Sequence, residues 1–147
     1  MMKTYLLSAF IILVYTSTIT FADGKLVLIR VKNIQFQQGR VMVAICTTQA
    51  QFEKEECQYK KATDTYKLKS LMPFPNIQER EIAVMVFQDL NSNGILDTNF
   101  LGIPTEPIGF SNNPKITFGP PEYAEITYTL DRNDRNVIDV ILINEGY

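Results

Sequence analysis

The stretch E-I-A-V-M-V-F-Q-D-L-N-S-N-G-I-L-D-T-N, residues 81–99, changes character at Asp89. Its first part, I-A-V-M-V-F (82–87), is apolar on both faces that an extended chain presents, which predicts a central strand covered from both sides. Its second part packs Asn and Asp around a single Gly, the composition of a turn or of an oxygen-lined loop.

On either side of this stretch the apolar residues recur with period two. K-L-V-L-I-R-V-K-N-I (25–34) places Val27, Ile29 and Val31 on one face, and R-V-M-V-A-I-C (40–46) does the same with Val41, Val43 and Ile45. The intervening Q-F-Q-Q-G contains a turn glycine, so these two runs predict a hairpin. A-E-I-T-Y-T-L (124–130) alternates with Ile126, Tyr128 and Leu130 inward and Thr127 and Thr129 outward. V-I-D-V-I-L-I (137–143) follows after the polar D-R-N-D-R-N, which predicts a second hairpin. A weaker strand is expected over Thr65 to Leu71, before the Pro73-Phe74-Pro75 break, and Gln49 to Glu56 is the only short helical signal. Without repeats or linkers, this pattern implies an all-β fold. The expected form is a single antiparallel β-sandwich, immunoglobulin-like or transthyretin-like, with about seven strands. A long ordered loop runs from Gly94 to Pro121, and long ordered loops on a β-scaffold are usually functional or internally stapled.

The N-terminus does not belong to that sandwich. Lys3 precedes an uncharged stretch from Thr4 to Ala22, greasiest over Leu6 to Tyr15, and Thr20-Phe21-Ala22 ends it with an A-x-A-like cleavage pattern. Residues 1–22 are therefore expected to be a signal peptide and 23–147 the sandwich domain of an exported protein, periplasmic or secreted. The alternative is a retained membrane anchor, since the uncharged run is nearly long enough to span. No second long apolar run follows, so no span is expected after cleavage. The chain carries 14 basic and 16 acidic residues and forms no basic patch, which argues against nucleic acid. In an oxidising compartment Cys46 and Cys57 are more often paired than free, and pairing would contribute roughly 3 kcal/mol in the chain-entropy model. The other reading is two buried thiols acting as small hydrophobes.

Against the calcium-loop pattern D-x-[DN]-x-[DN]-G, residues Asp89, Asn91, Asn93 and Gly94 match. Alternate side chains project oxygens toward one centre, and Gly permits the sharp turn that brings the next carbonyl inward. Ile95 would supply that carbonyl while its side chain anchored the loop to the core, and Asp97 falls at the ninth position. The twelfth position, where an EF-hand requires a bidentate Glu, is Phe100, and the flanks are strand rather than helix. Closure of the shell is left to Glu106, the nearest carboxylate downstream. So few carboxylates imply calcium affinity on the order of 0.1–1 mM. An Asn-Gly-rich turn that is rigid without metal accounts for the same residues.

Other chemistry is poorly represented. The chain has no His, which excludes Ser-His and Cys-His catalysis and His-ligated zinc. No phosphate-cradling glycine motif is present. No catalytic residue is assigned. Asp97 with Glu106 or Glu122 is the carboxylate pair a hydrolase would need, against which stands their reading as metal ligands or solvated loop charges. Phe100, Phe110, Phe118 and Tyr123 could line a ligand surface or plug the long loop onto the sandwich.

The run F-Q-D-L-N-S-N-G-I-L-D-T-N-F-L-G-I-P-T-E-P-I-G-F-S-N-N (87–113), continued by F-G-P-P (118–121), resembles the bacterial domain of unknown function 2141. The resemblance implies a small exported protein with one β-rich domain and carries no biochemical activity. One departure is Arg80-Glu81-Ile82-Ala83, where the family has a Gly-Tyr-Ala type entry into the strand. The loop is also similar to those of calcium-binding repeats in bacterial surface adhesins, which implies Asp89, Asn91, Asn93, Asp97 and Glu106 as ligands.

The expected function is thus an exported, non-enzymatic module whose loop, steadied by calcium, meets a protein or envelope glycan partner. The alternatives are a carbohydrate- or small-ligand-binding accessory domain using the loop aromatics and, third, a carboxylate-dependent hydrolase.

Overall fold

Most of the apolar runs with period two become strands, because alternation lets one face pack while the other meets water or a second layer. The computed structural model describes residues 24–34, 36–67, 71–117, 119–132 and 135–144; the expected signal peptide and Phe118 lie outside them. In chain order the elements are β1 (Lys25–Lys32), β2 (Arg40–Cys46), α1 (Gln49–Glu53), β3 (Tyr59–Asp64), a 3-10 turn (Thr65–Lys67), β4 (Met72–Ile77) and β5 (Glu81–Asp89). They continue with β6 (Ile108–Phe110), α2 (Tyr123–Ile126), β7 (Thr127–Thr129) and β8 (Asn136–Ile141). Among the described residues no helix is long and apolar enough to cross a membrane.

The strands form two sheets. One runs β4-β1-β8; the other runs β3-β2-β5-β6, with β7 also paired to β5. Because β2 takes one edge of β5, β6 and β7 lie end to end along the other. The all-β sandwich expected from the sequence is the fold observed, with one parallel pair, β1 with β8, among otherwise antiparallel neighbours. Val27, Ile29, Val41, Val43, Ile45, Ile82, Val84 and Val86 form the core between the sheets. A slip of β2 by one residue would exchange Val41, Val43 and Ile45 for Met42 and Ala44, so burial fixes the register.

β5 is the central strand that its two-faced apolarity requires. Ala83, Met85 and Phe87, on its other face, join a second cluster with Ile108, Phe110, Ile126, Leu96, Ile116, Phe52 and Tyr123. Much of the long connection after Asp89 is therefore lid over this outer face.

Among the described residues, backbone hydrogen bonds join the sheets on one side and side-chain contacts on the other. Ile108 and Ile143 exchange backbone hydrogen bonds of 3.0 and 2.8 Å, linking β6 to the end of β8. On the second side, between β3 and β4, the Lys61 ammonium donates to the Pro73 carbonyl at 3.0 Å and sits 5.8 Å from the Phe74 ring centroid.

Three expectations change. The first hairpin does not exist: β1 and β2 belong to different sheets, and Val27 and Ile29 meet Val41, Val43 and Ile45 across the sandwich. The buried Gln88 amide holds the crossover by donating to the Phe36 and Gln38 carbonyls at 2.7 and 3.0 Å. Gly39, at φ +73°, lies so close to β5 that an added Cβ would meet the Asp89 carbonyl oxygen at 2.0 Å. The second hairpin is likewise a crossover, since β7 pairs with β5 and β8 with β1, and its expected first strand over 124–130 is helical up to Ile126 and extended only at Thr127–Thr129. Asn136, buried at its end, accepts the Asp131 N–H and donates to the Asp131 carbonyl. The weak strand at Thr65–Leu71 is a 3-10 turn over its first three residues, with residues 68–70 outside those described; the strands flank it as β3 and β4. Pro73 and Pro75 do not break β4. They sit in an edge strand, where a missing N–H costs no ladder bond.

Candidate functional site

β5 ends at Asp89, whose buried carboxylate turns into the following loop rather than toward the core. One oxygen accepts the Asn93 N–H at 3.0 Å and the other the Gly94 N–H at 2.8 Å, closing a tight turn. Ser92 at φ 63° and Gly94 at φ 81° supply its left-handed corners. Asn91 Oδ1 accepts the Asn93 N–H at 2.9 Å, and Asn93 Oδ1 accepts the Ile95 N–H at 2.8 Å. These are Asx-type bonds that fix the backbone from within. The nitrogen ends of both amides turn to Asp97: Asn91 Nδ2 lies 2.6 Å from one carboxylate oxygen and Asn93 Nδ2 3.2 Å from both.

Above this turn stands a small hairpin that the spacing did not reveal. Thr105 N–H donates to the Asp97 carbonyl at 2.9 Å, Thr98 bridges Pro104, and Asn99 N–H donates to the Ile103 carbonyl at 2.9 Å. Asn99 Oδ1 accepts the Leu101 and Ile103 N–H groups at 2.9 and 3.1 Å, and Gly102 takes φ +77°. Phe100 and Leu101 are thereby held at the apex, 94% and 67% exposed.

Glu106 fastens the two storeys to the sandwich. Its carboxylate, 5% exposed, accepts the Leu90 N–H at 2.7 Å and the Asp97 N–H at 3.1 Å. Glu106 does fold back onto the loop, as the closing position of a calcium shell would, and it meets two backbone donors there. Asn91, Asn93, Asp97 and Glu106 are thus drawn around one turn, with Asp89 beneath. The donor types suit a hard cation, but the Asn nitrogens face Asp97, so both amides would have to turn over to offer oxygen. Among the described residues, no three Cys, Asp or Glu side chains gather into a metal-holding group. Ile95 does not anchor the loop: its side chain is 67% exposed, and Leu96 packs inward instead.

Phe118 lies outside the described residues, and the other three aromatics do not form one surface. Phe110 is 3% exposed in the second cluster, Tyr123 is half-buried with its ring centroid 5.9 Å from that of Phe52, and Phe100 stands alone in solvent. Between α1 and α2 lies an open groove of about 400 Å³ lined by Gln49, Phe52, Glu53, Glu122, Tyr123 and Ala124. Burial raises the Tyr123 hydroxyl pKa, and the nearby Glu81 charge adds to it. Glu122 caps α2 there, apart from Asp97 and Glu106. Cys46 and Cys57 form a disulfide between the end of β2 and the approach to β3.

Several working residues carried no sequence signal. Ser111 Oγ accepts the Val84 N–H at 2.9 Å and donates to the Ile126 carbonyl, tying the lid to β5. Asn113 donates to the Asp139 carbonyl at 2.8 Å and accepts the Ile141 N–H at 2.7 Å, standing along β8 as a strand would. Only the folded chain brings these partners together.

A family model described as an uncharacterized protein conserved in bacteria (DUF2141) matches residues 29–138, which include every strand except the start of β1 and the end of β8. No curated protein and no solved structure matches the chain.

Proposed function

The chain belongs to the DUF2141 family, and from that premise we propose that it is an exported, non-enzymatic module that uses the β5–β6 loop as an interaction surface. The observation that carries this reading is the apex: Phe100, Leu101 and Ile95 are 94%, 67% and 67% exposed on a loop fixed by internal hydrogen bonds. Large apolar side chains held in water by a rigid support are characteristic of contact sites. The rim is Asn, Ser and Thr, and residues 89–107 hold no Lys or Arg. Such a surface suits an uncharged partner, a protein or an envelope glycan, better than an anionic one. The Cys46–Cys57 disulfide supports an oxidising compartment. Co-sedimentation with envelope fractions of the native bacterium tests the surface. Binding should fall sharply in a Phe100→Ser, Leu101→Ser double variant that melts like the wild type, and undiminished binding would refute it.

We further propose calcium as the ion that steadies this loop, supported by the gathering of the Asn91, Asn93 and Asp97 side chains on one turn, where both amides would turn over to present oxygen to the ion. Calcium binding only to the folded state would raise the melting temperature with concentration. Asp97→Ala should abolish the rise; a rise that persists in the variant, or none in the wild type, defeats the assignment.

A further inference from the structure

Asn93-Gly94 is the one Asn-Gly pair in the sequence, and it lies on the exposed turn between Asp89 and Asp97. Gly lacks the side chain that would shield its nitrogen, and a Cβ at Gly94 would meet nothing within 4 Å. We propose that Asn93 is a deamidation site whose reaction is restrained by the Asp89 carboxylate. The Gly94 nitrogen, on losing its proton to solvent base, attacks Asn93 Cγ. The Cγ–Nδ2 bond breaks and ammonia leaves with a proton, giving a cyclic imide. Water then opens the imide at Cγ, yielding aspartate, or at the backbone carbonyl, yielding isoaspartate.

Two contacts oppose the first step. The Gly94 N–H is held by Asp89 Oδ2 at 2.8 Å, and a carboxylate so close disfavours a second negative charge on that nitrogen. The Asn93 side chain is tethered at both ends, with Oδ1 on the Ile95 N–H and Nδ2 on Asp97. Once formed, the product cannot restore the turn. It replaces the Nδ2 donor with a carboxylate facing Asp97, and the isoaspartate form adds a methylene to the backbone below the Phe100 hairpin. The loop thus carries a one-way, age-dependent change.

Peptide mapping by mass spectrometry of the intact, disulfide-bonded chain, incubated in mildly alkaline buffer, measures the conversion at each Asn. Asn93 should be the principal site. Its rate in the folded wild type should be about tenfold or more below that of the same chain unfolded in urea, the factor expected of one hydrogen bond to a charged group. Asp89→Asn, shown folded by circular dichroism, should raise the rate several-fold toward the unfolded value, whereas Glu106→Gln should raise it much less. Equal rates in folded and unfolded wild type would overturn the restraint and need no variant to do so. Equal acceleration by Glu106→Gln would overturn the role of Asp89, and conversion chiefly at Asn91 would overturn the site.

Discussion

Glu106 accepts the Leu90 N–H at 2.7 Å across a separation of 16 residues, so a carboxylate from the far end of the loop meets the chain where β5 runs out. The second oxygen takes the Asp97 N–H, and the side chain is almost wholly buried. Glu106→Gln keeps the shape but turns one acceptor into a donor facing an N–H. The expected loss is about 2 kcal/mol, a fall in melting temperature on the order of 5–10 °C. Hydrogen exchange should quicken first at Leu90 and Asp97. A variant that melts and exchanges like the wild type would remove Glu106 as the clamp.

Strands β1, β2, β5 and β8 were legible in the sequence, β3, β4 and β6 were not, and neither was the pairing. Alternation in 25–34 and 40–46 states that each segment has an inner face. It does not state whether two such faces lie side by side in one sheet or opposed across a core, and Q-F-Q-Q-G fits a hairpin or a crossover. What decides is Gln88 and the close approach of Gly39 to Asp89, contacts 50 residues distant in sequence. The loop divides in the same way. Its Asp and Asn spacing announced a turn with inward side chains. Which end of each amide faces Asp97, and the hairpin knotted by Asn99, depend on hydrogen-bond partners that spacing does not encode.

The Cys46–Cys57 disulfide closes a short loop, 11 residues apart in sequence, around α1. Loop closure of that length contributes about 3 kcal/mol through the unfolded state. Reduction, or Cys46→Ala with Cys57→Ala, should lower the melting temperature by on the order of 10 °C. Scanning calorimetry with and without reductant measures it, and coincident transitions would contradict the pairing.

Arg30 on β1 and Asp139 on β8 are register partners, and Lys32 reaches the same carboxylate. Hydrogen bonds from Arg30 and then Lys32 lower the Asp139 pKa from 3.8 to about 2. A folded-state pKa below the unfolded one gives stability that is complete above 3.8 and lost as pH falls through about 2. The side chain is 33% exposed, so water and salt weaken the pair. Asp139→Asn should melt slightly below the wild type at neutral pH, and the gap should close as pH falls toward 2 or as salt is added. A gap that widens in acid would contradict the assignment.

Asn113 covers part of the β8 edge away from β1 with one amide, satisfying the Asp139 carbonyl and the Ile141 N–H. An uncovered edge presents unpaired backbone groups to any other strand. Asn113→Ala should lower stability by only about 1 kcal/mol, because water replaces the lost bonds. Its larger effect should be concentration-dependent self-association, followed by analytical ultracentrifugation. A variant with no greater self-association than the wild type would leave Asn113 no part in guarding this edge.

Phe100 and Phe110 look equivalent in the sequence, two aromatics in one Gly- and Pro-rich connection, and the fold gives them opposite tasks. Phe110 pairs with Met85 across β5 and β6 and is 3% exposed, whereas Phe100 is 94% exposed at the hairpin apex. Phe110→Ala removes a buried ring and should cost about 3–5 kcal/mol. Phe100→Ser touches nothing that folding buries and should change stability by no more than about 0.5 kcal/mol. Urea denaturation of the two variants gives both values on one scale. A large loss in Phe100→Ser would mean that the apex is packed and that the contact role proposed for it fails; a small loss leaves Phe100 exposed with no folding role to explain it.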